Sequence, residues 1–362
     1  MPLSLNIPLN RTSFGNVSFG ILFELFQRGE KPVILPIGPI DLATFSLTEE
    51  FGAFLKDGIE SAIRVHSRKN PTLKLWHING LLDGFSEKAN SFTFHETDRL
   101  TDIEAHILSQ QDKVFVSSNY TKSVFEKSGL NNVIYCPLGF DSHHFSKKDI
   151  RKPSGKVVTF GLYGKMEGRK NSLRIIRLWK ELFGSNPDFR LNCLIHNSFM
   201  DKEMFKSMIL NELGGDVPWN INLLPFQDTN LGFNDVLNAA DIDLTGLSSC
   251  EGFNLPLFQS LCLGKHAVVL NAHAHSDFCT AENSILVEPL PEMREASDGM
   301  FFKPGGQFNQ GQWHDFSDQD AKDAMLLAVK SYKENGSNSC GEKLASEFSW
   351  KKTVDILLEN LD

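Results

Sequence analysis

Short runs of apolar and β-branched residues alternate along this chain with stretches whose apolar positions recur every three or four residues. The first half reads "KPVILPIG", the amphipathic "LTEEFGAFLKDGIESAIRV", then "LKLWHI", "NSFTFH", "DIEAHILSQQ", "KVFVSS", "NYTKSVFEKSG" and "NNVIYCPLG". Compact apolar runs predict strands, and runs with a period near 3.6 predict helices. Their alternation predicts βαβ units and a parallel sheet. A short strand leading into "RTSFGNVSFGILFELFQRGEK" opens the series. The rhythm restarts at "GKVVTFGLYG" and runs through "NSLRIIRLWKELFGSN", "FRLNCLIH", "MFKSMILNEL", "WNINLLPF", "LGFNDVLNAA", "DIDLTGL", "NLPLFQSLCLGK" and "HAVVLN". Between the halves lies "HHFSKKDIRKPSGK", polar, charged and interrupted by Pro153, which reads as a linker. The expected fold is α/β: two doubly wound Rossmann-like domains facing a cleft. The first spans 1–150, the second 151–340, and a terminal helix lies in 341–362.

Bulk properties narrow this picture. A chain of 362 residues, 41% hydrophobic and 22% charged, has the size and composition of two soluble globular domains. No window approaches the unbroken apolar length of a membrane span. The N-terminal residues lack the basic region and apolar core of a secretory signal. The six cysteines are scattered without CxxC spacing and lie mostly in apolar runs. They read as buried thiols in a reducing, cytoplasmic setting rather than as a zinc site. The net charge of −9 weighs against a surface built mainly to track nucleic acid. A local basic run, "RVHSRKNPTLK" at 64–74, is either a patch for such a partner or a solvated loop.

In doubly wound sheets ligands bind beyond the carboxyl ends of strands, so the residues just after each strand carry the chemistry. In "YGKMEGRKNSLRII" a strand runs into Gly164 and Lys165, and Arg169 and Lys170 precede a helix. Cations at a helix start oppose its dipole, and a bound anion would offset that cost. A basic surface turn is the alternative, and the loop lacks the ending of a phosphate-binding P-loop. Gly15, at the first strand-to-helix turn, would let backbone approach a ligand, though simple turn chemistry explains it equally well. His95 and Glu96 stand where "SFTFHETDRL" leaves its strand. His95 is placed either to bond a substrate hydroxyl or move a proton, or to be a buried histidine satisfied by backbone. In "SSCEGFNLPLFQSLCLGK" Pro256 suits a first helical turn. The amides of Gly252, Phe253 and Asn254 then make an anion-friendly start, with Glu251 beside them. Glu251 either caps those amides or accepts hydrogen bonds from ligand hydroxyls. Gln259 follows on roughly the same helix face, which points to a sugar or ribose lying along the helix start.

Taken together these residues resemble the retaining GT-B glycosyltransferases of the large group 1 class (family 4). "EGFNLPLFQSLCLGK" is similar to that family's E-G-F-G-L-P-x-x-E-A motif, and "GKMEGRKN" to its phosphate turn. "FVSSNYTKSVFEKSGLNNVIYCPLGFD" resembles the end of its N-terminal domain, and "FSWKKTVDILLENL" its terminal helix. The resemblance covers most of the chain from about residue 90. It implies transfer of a hexose-type sugar from a nucleotide-diphosphate sugar to an acceptor hydroxyl, with retention and with no metal cofactor. Carried over by position, Lys165 and Lys170, with Arg169 beside them, would hold the diphosphate, and Gly15 would let the first loop approach it. Glu251 would read donor-sugar hydroxyls next to the helix-start segment Gly252, Phe253, Asn254 and Leu255. Gln259 would hold the ribose, and His95 would contact sugar or acceptor near the reacting carbon.

Three positions depart from the family pattern. Gln259 replaces a second Glu, Lys165 replaces an Arg and so loses a bidentate fork, and Asn254 replaces a Gly. Sugar-nucleotide epimerisation, a degenerate nucleotide-sugar-binding module and a dehydrogenase are the competing readings. The last lacks a G-x-G-x-x-G after the first strand. The acceptor expected is a glycan, a lipid-linked glycan or a small molecule. A protein or a modified DNA base is a further alternative, and the acidic charge weighs against the base. Any membrane contact would be peripheral.

Overall fold

The computed structural model describes residues 3–149, 157–197 and 200–361. The first part of the chain runs β1 (Ser4–Ile7), α1 (Ser13–Gln27), β2 (Val33–Pro36), α2 (Glu49–Val65), β3 (Thr72–Leu75), β4 (Ala89–Thr93), α3 (Asp102–Ser109), β5 (Lys113–Val116), α4 (Asn119–Lys127) and β6 (Val133–Tyr135). The second runs β7 (Val158–Lys165), α5 (Ser172–Phe183), β8 (Phe189–His196), α6 (Lys202–Glu212), β9 (Ile221–Leu223), α7 (Asn230–Asn238), β10 (Ile242–Asp243), α8 (Leu255–Cys262), β11 (His266–Leu270) and β12 (Ile285–Val287). A hairpin of β13 (Arg294–Glu295) and β14 (Gln312–Trp313) follows. The chain ends in α9 (Asp318–Asn335), the one-turn α10 (Ser339–Glu342) and α11 (Leu344–Glu347), and α12 (Trp350–Asn360).

Two six-stranded sheets result, ordered β2-β1-β3-β4-β5-β6 and β12-β11-β10-β7-β8-β9. Every pairing within them is parallel. This is the doubly wound α/β architecture the alternating pattern predicts. The winding direction reverses between β1 and β3 in one sheet and between β7 and β10 in the other. At such a switch point adjacent loops diverge to opposite faces and leave a crevice beyond the strand ends.

The local causes are readable. Thr48 caps α2 by accepting from Phe51 N, and Thr101 with Glu104 forms a reciprocal capping box at α3. The predicted strand "DIDLTGL" stops early, at Asp243. The Asp243 carboxylate accepts from Thr245 N at 2.6 Å, and a tight turn over Thr245–Leu247 follows. Gly246 is required in that turn, since a Cβ there would sit 2.6 Å from the Val268 carbonyl oxygen. The sequence reading passes over α9, an 18-residue helix whose buried face is largely alanine. The linker's Pro153 and the 150/151 boundary fall outside the described residues.

The terminal segment returns to the first sheet. Phe140 N donates to Phe348 O at 2.9 Å, and α12 then lies along α1. Arg28 on α1 pairs with Asp355 at 2.7 Å and donates to Lys351 O at 2.8 Å. Gly20 lets the two helices meet: a Cβ there would lie 2.1 Å from the Trp350 ring. Gly20→Ala therefore overpacks this contact and lowers stability by about 1–3 kcal/mol. A urea titration checks it, by a lower midpoint at unchanged slope; an unchanged midpoint would mean that α12 does not seat on α1 as described.

Candidate active site

The β7–β10 switch point gathers the charged residues. β7 ends in Lys165, a tight turn over Gly168–Lys170 follows, and Asn171 enters α5 with a left-handed φ of 53°. Asn is the non-glycine residue that tolerates this conformation best. The Asn171 amide donates to Leu247 O at 2.9 Å and Ser249 Oγ at 2.8 Å, and Ser249 N donates to Arg169 O at 2.7 Å. These bonds zip the loop after β7 to the loop after β10, which carries Glu251.

Glu251 is buried, 4% exposed, and among the described residues its carboxylate caps no backbone amide. Its carboxylate pairs with the Lys170 ammonium and with Arg169 Nη1 at 2.9 Å. Arg169 also donates to Cys250 O and to Glu167, both at 2.9 Å. Lys165 binds Glu167 at 3.0 Å and lies 3.8 Å from the centre of the Phe301 ring. From the facing domain Glu96 approaches Arg169 to 3.9 Å. Burial by itself would raise the Glu251 pKa. The positive charges of Lys170 and Arg169 overcome that, and its carboxyl titrates well below the usual carboxylate range. Arg169 is held above its ordinary value, against burial, by Glu251, Glu167 and Glu96. Beneath the cluster, burial pushes Asp243 up to about 6, opposed by hydrogen bonds from Ser260 and Thr245. The bond to Ser260 fastens α8 to the end of β10.

The helix-start residues divide in role. A Cβ on Gly252 would lie 3.0 Å from Phe94 Cβ, and the Gly252 carbonyl accepts from Ser117 Oγ at 2.7 Å. This glycine is therefore a contact between the two domains. Phe253 points into the core against Phe258 and Phe278. Asn254 has φ 78° and bonds Thr245 O at 3.2 Å and His275 Nε2 at 2.9 Å. Leu255 begins α8 and is half-buried, while Gln259 is buried one turn on. Its amide makes no hydrogen bond to a described residue.

Gly15 and His95 lie in the facing domain. A Cβ on Gly15, in the first turn of α1, would lie 1.7 Å from Asn10 O, so the chain's own path demands this glycine. Its neighbour Asn16 reaches across the cleft to Asn230 at 2.8 Å. The His95 ring is buried against Phe125, with Nε2 3.0 Å from both Arg99 O and Thr97 Oγ1. These bonds tie its Nε2 to the loop that presents Glu96.

Sequence reasoning passes over two groups. One is a strap over residues 288–316, whose Gly- and Pro-rich text has no period. Its Gln310 and Gln307 carbonyls accept from Thr97 and Thr101, each at 2.8 Å, and Gln312 N donates to Asp98 at 2.6 Å. On the other side its Arg294 donates to Asn171 at 2.9 Å and Ser249 at 3.1 Å. The second is Trp76 and His77, directly after β3 at the other switch point. They lie in "LKLWHI", and inspecting every strand end would have found them. Among the described residues no cluster of His, Cys, Asp or Glu could hold a metal ion, and no helix is long and apolar enough to cross a membrane.

The whole chain superposes on solved glycosyltransferase structures. Sucrose-phosphate synthase from Thermosynechococcus elongatus matches with a TM-score of 0.69 at 11% identity, over 99% of this chain and 98% of that one. HepE of Anabaena, in complex with UDP and glucose, matches at 0.66 and 12%, over 100% and 99%. A glycosyltransferase from Rickettsia africae matches at 0.62 and 12%, over 99% and 97%. The fold is thus GT-B. Neither a protein-family model nor a curated protein matches the sequence.

The ionised Glu251 also makes stability depend on pH. Because its folded pKa is depressed below the ordinary 4.5, the stabilisation is complete above that value and is lost as pH falls below it. Thermal melts between about pH 6 and about pH 3 should show a steeper acid loss in the wild type than in Glu251→Gln. Equal slopes would remove this carboxylate from the account.

Proposed function

We propose that this chain is a glycosyltransferase that moves a hexose-type sugar from a nucleotide-diphosphate sugar, a uridine nucleotide foremost, to an acceptor hydroxyl with retention of configuration. The observation that carries the reading is the meeting of Lys165, Arg169 and Lys170 with the carboxylates of Glu167 and buried Glu251 at the switch point of the second sheet. The likeness of the fold to HepE with bound UDP and glucose supports the choice of nucleotide.

Each cation of the site is answered by a carboxylate. A donor diphosphate would take over the ammonium groups of Lys165 and Lys170, leaving the Glu251 oxygens to accept from hydroxyls of the sugar. As the bond between the anomeric carbon and the phosphate oxygen breaks, negative charge moves onto the diphosphate. Preorganised cations in a site closed to water stabilise that charge without reorganising. The acceptor oxygen bonds the same face of the anomeric carbon, and its proton passes to the departing phosphate oxygen. Glu251 orients the sugar and is not a nucleophile. Arg169 holds Glu251 and Glu167 in place, and Gln259 serves the ribose. His95 positions the loop bearing Glu96. In this reading the two ammonium groups at the leaving diphosphate take the place of a metal.

Two measurements test this. Thermal-shift panels with UDP-, GDP-, ADP- and dTDP-sugars, with and without chelator, should give a raised Tm for one nucleotide regardless of chelator. Stabilisation lost with chelator would overturn metal independence. No response at millimolar concentration would favour a degenerate module. Lys170→Met should cut kcat about 100-fold or more, measured by release of the nucleotide diphosphate; unchanged turnover would sink the assignment of Lys170.

A further inference from the structure

The first sheet has its own switch point, between β1 and β3, and an aromatic cluster stands beyond those strand ends, with Phe14 buried in the core and Trp76 partly buried at its edge. Phe14 opens α1, and Trp76 and His77 follow β3. The Phe14 ring centre lies 5.8 Å from that of Trp76, 4.5 Å from His77 and 5.1 Å from Phe94. Trp76 is half-buried and His77 exposed. Gly80 makes room for the indole, since a Cβ there would sit 2.6 Å from Trp76 Cδ1. Neither the Trp76 N–H nor the His77 ring hydrogen-bonds a described residue. The ledge faces the cation cluster: Glu96 and Lys165 both act on the His77 charge. The cleft walls desolvate the imidazolium and lower its pKa, with Lys165 adding to the fall and Glu96 opposing it.

We infer that Trp76 and His77, backed by the buried Phe14 ring, form the acceptor subsite, and that its occupant is a sugar ring, so that the acceptor is a carbohydrate. The inference rests on the transferase reading for the word acceptor. A pyranose presents axial C–H groups on one face and hydroxyls around its rim. Aromatic faces serve the first, and the indole N–H, a neutral imidazole with one donor and one acceptor, and the Glu96 carboxylate serve the second. Glu96 on the rim repels a phosphate-rich acceptor, which selects a neutral polyol over a nucleic acid. The ledge lies opposite Lys165, so a ring held there brings a hydroxyl toward the donor diphosphate.

The test uses the full chain and two probes. UDP, read by thermal shift, reports the donor site. A mixture of methyl glucoside, methyl galactoside and methyl N-acetylglucosaminide, read by saturation-transfer NMR with UDP present, reports the ledge. Wild type should show saturation strongest on one ring face of at least one glycoside. Trp76→Ala and the exposed His77→Ala should lose most of it while keeping the UDP shift, and Trp76→Phe should restore part of the loss of Trp76→Ala. Where Trp76→Ala fails to fold, His77→Ala alone decides. No saturation in the wild type, or saturation unchanged in His77→Ala, overturns the subsite. Saturation at the ledge without any UDP shift upholds it and removes the nucleotide-sugar reading instead.

Discussion

A carboxylate cannot be buried beneath two packed domains without a positive charge at contact distance, and Glu251 has two, both from a different loop. Their attraction repays desolvation only when geometry is fixed and the remaining donors are satisfied. Much of the second domain's loop structure meets that condition. Arg169 spends its other N–H groups on Cys250 O and Glu167, and Asn171 and Ser249 bind the two loops together. The cost of this order is visible in the backbone. Asn171, Asn254 and His273, all at positive φ, flank the cluster, and such conformations persist only where the surroundings enforce them.

The strap extends the same logic across the cleft. Polar groups of the loop after β4 are bonded to strap residues 307–312, while Arg294 at its other end braces the Asn171–Ser249 zipper. Glu96, Glu251 and the cations are thus fixed relative to one another by one continuous segment, with Phe302 and Trp313 packed on Cys250 as its apolar anchor. Domain opening that separates Glu96 from Arg169 has to release these bonds or carry the strap along.

The fold was legible because parallel βαβ units write their period into every element. "KVFVSS" and "NYTKSVFEKSG" fall where β5 and α4 lie, and Thr101 with Glu104 announces α3. Candidate positions stood out where a polar type broke an apolar run, as at Glu251 and Gln259, or opposed a helix dipole, as at Lys170, and the structure brings Glu251 and Lys170 together. The strap was not legible, because its structure comes from bonds to Thr97, Asp98 and Thr101, some two hundred residues earlier in sequence. "LKLWHI" hid Trp76 and His77 because aromatic residues at a strand end read as core. Only the strand order reveals that β3 borders a switch point. His95 shows the converse: a residue type suited to catalysis, whose ring the fold spends on Thr97 and Arg99.

The departures from the family pattern weigh differently once geometry is known. Asn254 adopts φ 78°, the left-handed conformation a glycine would take, and Asn is the side chain that reaches it at least cost. That exchange preserves the turn that starts α8, and the Asn254 amide bonds Thr245 O and His275 to hold it. Lys165 for Arg loses a fork, yet Arg169 three-dimensionally restores a guanidinium to the cluster, four residues along the same turn. Gln259 has no such compensation. The residue is largely buried, and its amide bonds no described residue. The exchange of Glu for Gln therefore removes a charge from this face of α8 and leaves one donor group and one acceptor in its place.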